Sequence, residues 1–277
     1  MITIKELINI DNFRCMVLQI NNYCNLHCEH CTALCDTPLS PKSENLWRRK
    51  PWVITDEEAT LYCERFKDID IPETHWVGGE VTMIPLKRFN KLVNIFDYYK
   101  KGIVLLTNGY NIFNIDKDIL NKIKRIDLDD HGINHLHIDK CRNYLKTFYK
   151  GEIKTVYNIN HFDLRKSKQH PINANKRCPR WMAEIKVNYY VVYPCCSMVA
   201  VMLMDNNPQF REELIKAGWT LKNKNLIEVM KNNKTTVPDY IHRQCLTNCF
   251  LPVQGIGGTS PITLKDNDVI AAPIINN

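Results

Sequence analysis

The sequence predicts an α/β fold built around a parallel sheet. Three observations carry that prediction. Short apolar runs of strand character alternate with segments of helical spacing through roughly the first 160 residues. Polar motifs stand at the carboxyl ends of several of those runs, where ligands collect in such sheets. The chain, 277 residues of which 44% are hydrophobic, is also long enough to bury a substantial core.

The elements follow in order. "CMVLQI" (15–20) is the first strand; it ends at Asn21 and feeds the loop "YCNLHCEHC" (23–31). After a polar, basic connection, Thr55 and Glu58 form a capping-box pattern that opens a helix through "EEATLYCERF". "THWVGGE" (74–80) is a strand broken by two glycines. Pro85 starts a helix whose apolar positions are Leu86, Phe89, Leu92, Val93 and Phe96, with Gly102 as its stop. "IVLLTNG" (103–109) is the third strand and "DKDILNKIKR" (116–125) a helix. "IDLDD" (126–130) and "IKTVYNI" (153–159) supply strands four and five. Further on, "PRWMAEIKVNYYVVYPCC" reads as two short strands joined by a polar turn. "NPQFREELIKAG" reads as a helix capped by Asn207, with Pro208 in its first turn and Gly218 at its end. The tail after Gly255 is turns and extended chain, and no internal repeat is visible.

Composition bounds the function. No basic start precedes an apolar run, and no apolar stretch is long enough to span a bilayer, so a soluble, cytoplasmic protein is expected. The net charge of +7 comes from scattered lysine, which favours an anionic substrate or weak nucleic-acid attraction without establishing either. Twelve cysteines without a secretion signal point to metal or redox chemistry rather than disulfides. Cys15, Cys63 and Cys141 stand alone and read as small buried hydrophobes.

Cys24, Cys28 and Cys31 are spaced C-x₃-C-x₂-C. A structural zinc site closes with four ligands, and His27 or His30 would complete one. A [4Fe–4S] cluster on three cysteines instead leaves one iron open to a small molecule. The cysteine triad after the first strand, Gly-Gly-Glu (78–80) after the second and Thr-Asn-Gly (107–109) after the third together resemble the radical S-adenosylmethionine superfamily over about residues 13–160.

That resemblance implies a partial (β/α) barrel of five or six parallel strands. It implies that Cys24, Cys28 and Cys31 hold a [4Fe–4S] cluster whose open iron binds S-adenosylmethionine, and that reductive cleavage yields a 5′-deoxyadenosyl radical. His30 takes the slot beside the adenine. Gly78 and Gly79 allow close backbone approach, Glu80 accepts from the ligand's ammonium, and Asp129 meets the ribose hydroxyls, with Asn108 a lesser contact. Val81 stands where the family often has proline, which alters the turn but removes no ligand.

Cys178, Cys195, Cys245 and Cys249 resemble the ligands of a carboxyl-terminal SPASM or twitch auxiliary-cluster module, holding a second [4Fe–4S] cluster; Cys196 is an alternative to Cys195, and zinc an alternative to iron. The division expected is a radical S-adenosylmethionine barrel over 1–165 and a small twitch-like module over 166–277. The resemblance further implies a flavodoxin- or ferredoxin-type electron donor. The substrate expected is a small polar molecule (a sugar, cyclitol or nucleotide) undergoing oxidation or epimerisation. A peptide or protein side chain is the alternative substrate, and a non-enzymatic iron–sulfur or zinc protein the alternative class. Cys35 is a buried inert thiol or a hydrogen donor; His131, Lys140 and Arg180 are candidate substrate contacts, and no catalytic base stands out.

Overall fold

The computed structural model describes residues 2–8, 13–26, 52–157, 182, 184–195, 208–239 and 241. A short strand β1 (Ile2–Thr3) and helix α1 (Ile4–Ile8) come first, and β1 pairs in parallel with β3 (Ile69–Asp70). This small two-stranded unit was not visible in the sequence, because two-residue strands have no period to read. Among the described residues the main sheet has seven strands. Its first is β2 (Cys15–Gln19), followed in the chain by helix α2 (Asp56–Arg65) and β4 (Thr74–Val77). Helix α3 (Leu86–Tyr98), β5 (Ile103–Thr107), the short helix α4 (Lys117–Leu120) and β6 (Arg125–Asp130) come next. Helix α5 (His135–Leu145), β7 (Glu152–Tyr157), β8 (Glu184–Asn188) and β9 (Val191–Tyr193) complete it. Helices Pro208–Lys216, Leu226–Lys231 and Asn233–Thr236 follow.

The strand order is β7-β6-β5-β4-β2-β8-β9. All neighbours are parallel except the terminal β8–β9 hairpin. The five strands expected from the sequence are present and consecutive. A sixth parallel strand, β8, adds on the far side of β2 and not after β7. The expected boundary at 165/166 lies outside the described residues; residues 184–193, expected in a second module, extend the sheet of the first.

The alternation of strand side chains divides the sheet into two unlike faces. Met16, Leu18, Trp76, Leu105, Ile126, Leu128, Ile185 and Val187 form one core with the helices, meeting Tyr62, Phe89, Phe96, Ile138 and Leu145. Trp76 stands edge-on to Phe96 at 5.0 Å and to Phe89 at 6.1 Å. The other face carries Gln19, His75, Arg125, Asp127, Lys186 and Asn188 among a few aliphatics.

Local signals explain most boundaries. Thr55 caps α2, its hydroxyl accepting from the Glu58 amide at 3.1 Å. Pro85 caps α3 as expected, but Gly102 does not stop it. The helix ends at Tyr98 with Tyr99 as its cap; Lys100, the next residue, takes a left-handed φ of +54°, and the Lys100 and Lys101 amides bond back to Asp97 and Phe96. The helix expected over 116–125 is only one turn, because Arg125 is already paired with Val104 in the sheet. Gly218, at φ +87°, closes helix Pro208–Lys216 as predicted.

Candidate functional site

Three loops meet at the carboxyl ends of β2, β4 and β5. Asn21, fully buried just after β2, ties the first two together. Its Nδ2 donates to the carbonyls of Tyr23 (3.1 Å) and Glu80 (2.9 Å), and its Oδ1 accepts from the Gly79 amide (3.1 Å). The Glu80 amide in turn donates to the Tyr23 carbonyl at 2.9 Å. The root of the cysteine loop is therefore fastened to Gly-Gly-Glu.

This contact accounts for both glycines. A Cβ on Gly79 would stand 1.7 Å from the Tyr23 carbonyl oxygen, and one on Gly78 would stand 2.3 Å from that of Asn21. Gly78 also has φ +150°. The close approach they permit is to the chain's own loop.

Glu80 is 2% exposed, and its carboxylate is met from inside the protein. Oε1 accepts from the Thr82 amide (2.8 Å), the Thr82 hydroxyl (2.6 Å) and the Thr107 hydroxyl (2.5 Å). Oε2 accepts from the Asn108 amide (2.6 Å). Burial pushes its pKa up, and these donors oppose that rise. A carboxylate offers about four lone-pair sites. Oε1 is saturated, whereas Oε2 carries one amide donor. The side chain read from sequence as a ligand acceptor is thus first a clamp between two loops.

Asn108, 5% exposed, is the third anchor. Its Oδ1 accepts from the Tyr110 amide (3.1 Å). Its Nδ2 donates to Asn25 Oδ1 (2.9 Å) and to the Cys24 sulfur (3.8 Å), which also accepts from the Leu26 amide (3.4 Å). Gly109 turns the chain at φ +81° and leaves no room for a Cβ beside Cys141. His137 backs this turn, with Nε2 2.9 Å from the Gly109 carbonyl and 3.4 Å from the Cys141 sulfur. Burial pushes the Cys141 thiol up to about 12, so it stays protonated.

At the end of β6, Asp129 is half-buried and lies 3.4 Å from His131. Asn134 joins this end to the previous one, donating to the carbonyls of Asp129 (3.0 Å) and Asn108 (3.4 Å). Asp130, 1% exposed, points away to His135 Nδ1 at 2.5 Å. Lys140 is exposed on α5. Below the loops, the polar sheet face is largely self-paired. Arg125 forms a two-pronged pair with Asp127 (2.8 and 3.1 Å) and also meets Glu73. Asn188 Nδ2 donates to Gln19 Oε1 at 2.6 Å, and its side-chain oxygen Oδ1 is buried without a partner among the described residues.

The structure thus brings together Cys24, Gly78, Gly79, Glu80, Asn108 and Asp129. His30, Cys28, Cys31 and Cys35 lie outside the described residues, as do Cys178, Arg180, Cys196, Cys245 and Cys249. Among the described residues no group of three or more metal-ligating side chains gathers. Cys195 is described; 4% exposed, it follows the antiparallel return of β9. That strand carries it to the amino-terminal edge of the sheet, opposite Cys24. Cys15, Cys63 and Cys141 are buried, as their isolation predicts. Asn21, Thr82 and His137 were not singled out from sequence, and Thr107 entered only as part of the Thr-Asn-Gly motif. Asn21 and Thr107 stood at strand ends, where polar residues signal a site; Thr82 and His137 gave no such signal.

No helix among the described residues is long and apolar enough to cross a membrane. No family model and no curated protein matches the chain. Several solved structures are similar. Streptococcus suis SuiB bound to precursor peptide SuiA is 12% identical over 71% of this chain and 63% of that one, with a TM-score of 0.39. SuiB bound to S-adenosylmethionine is 12% identical over 69% and 60%, at 0.36. A further SuiB structure is 13% identical over 80% and 69%, at 0.39. The chain spans less than two thirds of the first two. At this identity and these TM-scores the likenesses assign neither ligand nor substrate to this protein.

Proposed function

We propose that this protein is a radical S-adenosylmethionine enzyme acting on a peptide or protein side chain. One observation carries the class: Cys24, the Gly-Gly-Glu turn and the Thr-Asn-Gly turn, separated in sequence, are bonded into one site at the carboxyl ends of adjacent parallel strands. A zinc hook or an electron carrier has no need of a buried carboxylate clamping two turns beside its first thiol.

The residues fit the cofactor's chemistry. The Cys24 sulfur, half-buried and facing N–H donors, suits a soft thiolate ligand, with Cys28 and Cys31 completing the triad. When bound, the cluster and S-adenosylmethionine supply a hydrogen-abstracting radical. The protein's part is to hold and orient. Gly78 and Gly79 present main chain to the ligand from a fixed turn. Glu80 keeps that turn rigid and retains acceptor capacity at Oε2 for an ammonium. On this reading Asp129 serves the ribose hydroxyls and His30 the adenine. A flavodoxin- or ferredoxin-type protein supplies the electron. Cys178, Cys195, Cys245 and Cys249 hold a second cluster.

The substrate reading moves from the small polar molecule to the peptide. Its support is the rim around the site, where Tyr110, Phe113, Ile133, Leu136 and Tyr157 are exposed on the segments at the ends of β5, β6 and β7. Such a rim suits apolar side chains of a chain substrate better than a sugar. The test is anaerobic incubation of reconstituted, reduced protein with S-adenosylmethionine. Methionine and 5′-deoxyadenosine are expected from the wild type and neither from Cys24→Ala. Iron should be about eight per chain, two [4Fe–4S] clusters, and about half that in the Cys24/Cys28/Cys31 triple alanine variant. Bound zinc with no 5′-deoxyadenosine would overturn the class. A screen of peptides against sugars and nucleotides would settle the substrate.

A further inference from the structure

The geometry points to Asn108 as a positioning residue that sets the reduction potential of the metal centre through the Cys24 sulfur. The inference rests on the proposed cluster. Its basis is an arrangement the Thr-Asn-Gly motif does not by itself require. A primary amide has two N–H donors on one nitrogen. In Asn108 they face Asn25 Oδ1 at 2.9 Å and the Cys24 sulfur at 3.8 Å. The amide oxygen is committed to the Tyr110 amide at 3.1 Å, which fixes which end of the side chain faces the sulfur. The backbone is fixed as well, since the Asn108 amide donates to Glu80 Oε2 at 2.6 Å and Glu80 is held in turn by Thr82 and Thr107. Asn108 is 5% exposed, so water does not replace its donor readily.

An N–H pointing at a ligating sulfur withdraws electron density from it. That favours the more electron-rich, reduced state of an iron–sulfur cluster, and hydrogen bonds to the sulfurs are one of the levers by which a protein sets cluster potential. Removing the donor therefore lowers the potential. Asn25, by taking the other N–H, aims the group. On this account Asn108 contributes no contact to substrate.

The experiment uses the full chain carrying Cys245→Ala and Cys249→Ala, so that only the triad cluster is read. Asn108→Leu removes the donor at similar volume. Asn108→Asp removes it while keeping an acceptor for the Tyr110 amide. Potentiometric titration followed by electron paramagnetic resonance gives the midpoint. With four irons retained, both variants are expected to favour the oxidised cluster by about tenfold, which is about 59 mV for one electron. Asn25→Ala should shift the potential in the same direction by less. An unchanged midpoint in Asn108→Leu, with iron and circular dichroism retained, would overturn the inference. A shift in Asn108→Asp alone would also overturn it, because the added charge and not the lost donor would then be responsible. Failure of the parent chain to hold iron at the triad would remove the proposed function itself, and this role with it.

Discussion

Gly79 shows how a single residue holds the site. Its missing Cβ leaves room for the Tyr23 carbonyl, which a methyl would meet at 1.7 Å, far inside any contact distance. The obstacle is main chain, so no rotamer change relieves it. Gly79→Ala is expected to cost about 3 kcal/mol, the upper end of overpacking penalties, and to abolish metal loading at the triad; urea denaturation and iron analysis would check both. Lys100 is the opposite case. It is exposed, sits at φ +54°, and closes α3 by backbone bonds that any residue makes. Left-handed backbone costs a non-glycine residue about 1–2 kcal/mol, whereas glycine costs about 0.5–1 kcal/mol in unfolded-state entropy. Lys100→Gly should therefore stabilise the protein by about 0.5–1 kcal/mol, read as a higher urea midpoint at unchanged slope.

At the scale of elements, two junctions carry charge or strain. The start of α5 holds the first. Asp130 hydrogen-bonds His135 and raises its pKa above the ordinary 6.5, with the Coulombic pull of the same carboxylate next. Because the folded state holds this proton more tightly than the unfolded chain, the contribution is fully present below pH 6.5 and is lost as pH rises through the raised value. NMR titration should place His135 above 6.5 in the wild type and return it towards 6.5 in Asp130→Asn; an unshifted His135 would remove the ion pair. The second junction is the β8–β9 turn, where Tyr189 and Tyr190 both take positive φ, +46° and +64°. Such turns favour Asn-Gly. Here the two tyrosines are held by external contacts: the Tyr190 amide donates to buried Glu58 at 2.9 Å, and Trp52 packs on Tyr189 at 4.3 Å. Burial pushes the Glu58 pKa up, and the amides of Tyr190 and Thr55 oppose the rise. Glu58→Ala leaves that amide and the strained turn unsupported, and should cost about 1–3 kcal/mol of stability by thermal denaturation.

For the whole molecule, the sheet order is the organising fact. β8 lies against β2, so the strand that leads to the first cysteine is central, flanked by β4 and β8. The hairpin and the other parallel strands share one core, in which Ile185 and Val187 are fully buried beside Met16 and Leu18. Unfolding is therefore expected to show one transition for this sheet, with far-ultraviolet circular dichroism and tryptophan fluorescence coincident. Ile185→Ala should lower stability by about 2–5 kcal/mol and shift both probes together. Two separated transitions would show that the hairpin folds apart from the other strands of the sheet.

The sequence alone determined the five consecutive strands, the caps at Thr55 and Pro85, the buried lone cysteines, and the membership of Cys24, Gly-Gly-Glu and Thr-Asn-Gly in one face. Those features are written in local periodicity, capping chemistry and the rule that loops at strand ends share an edge. It did not determine helix α5, whose exposed Leu136 and many polar residues blur its apolar stripe. Nor did it determine the placement of β8, because strand pairing across more than 160 residues (Cys15 with Glu184) leaves no local trace. The roles of the site residues changed for the same reason. Glycine spacing and an acidic residue announce a site, but only the tertiary structure showed that the glycines make room for Asn21 and Tyr23. It also turned Glu80 towards Thr82, Thr107 and Asn108, and set Asn108 against the Cys24 sulfur. Donor and acceptor assignments of this kind depend on where distant loops pack, and packing is a property of the assembled core.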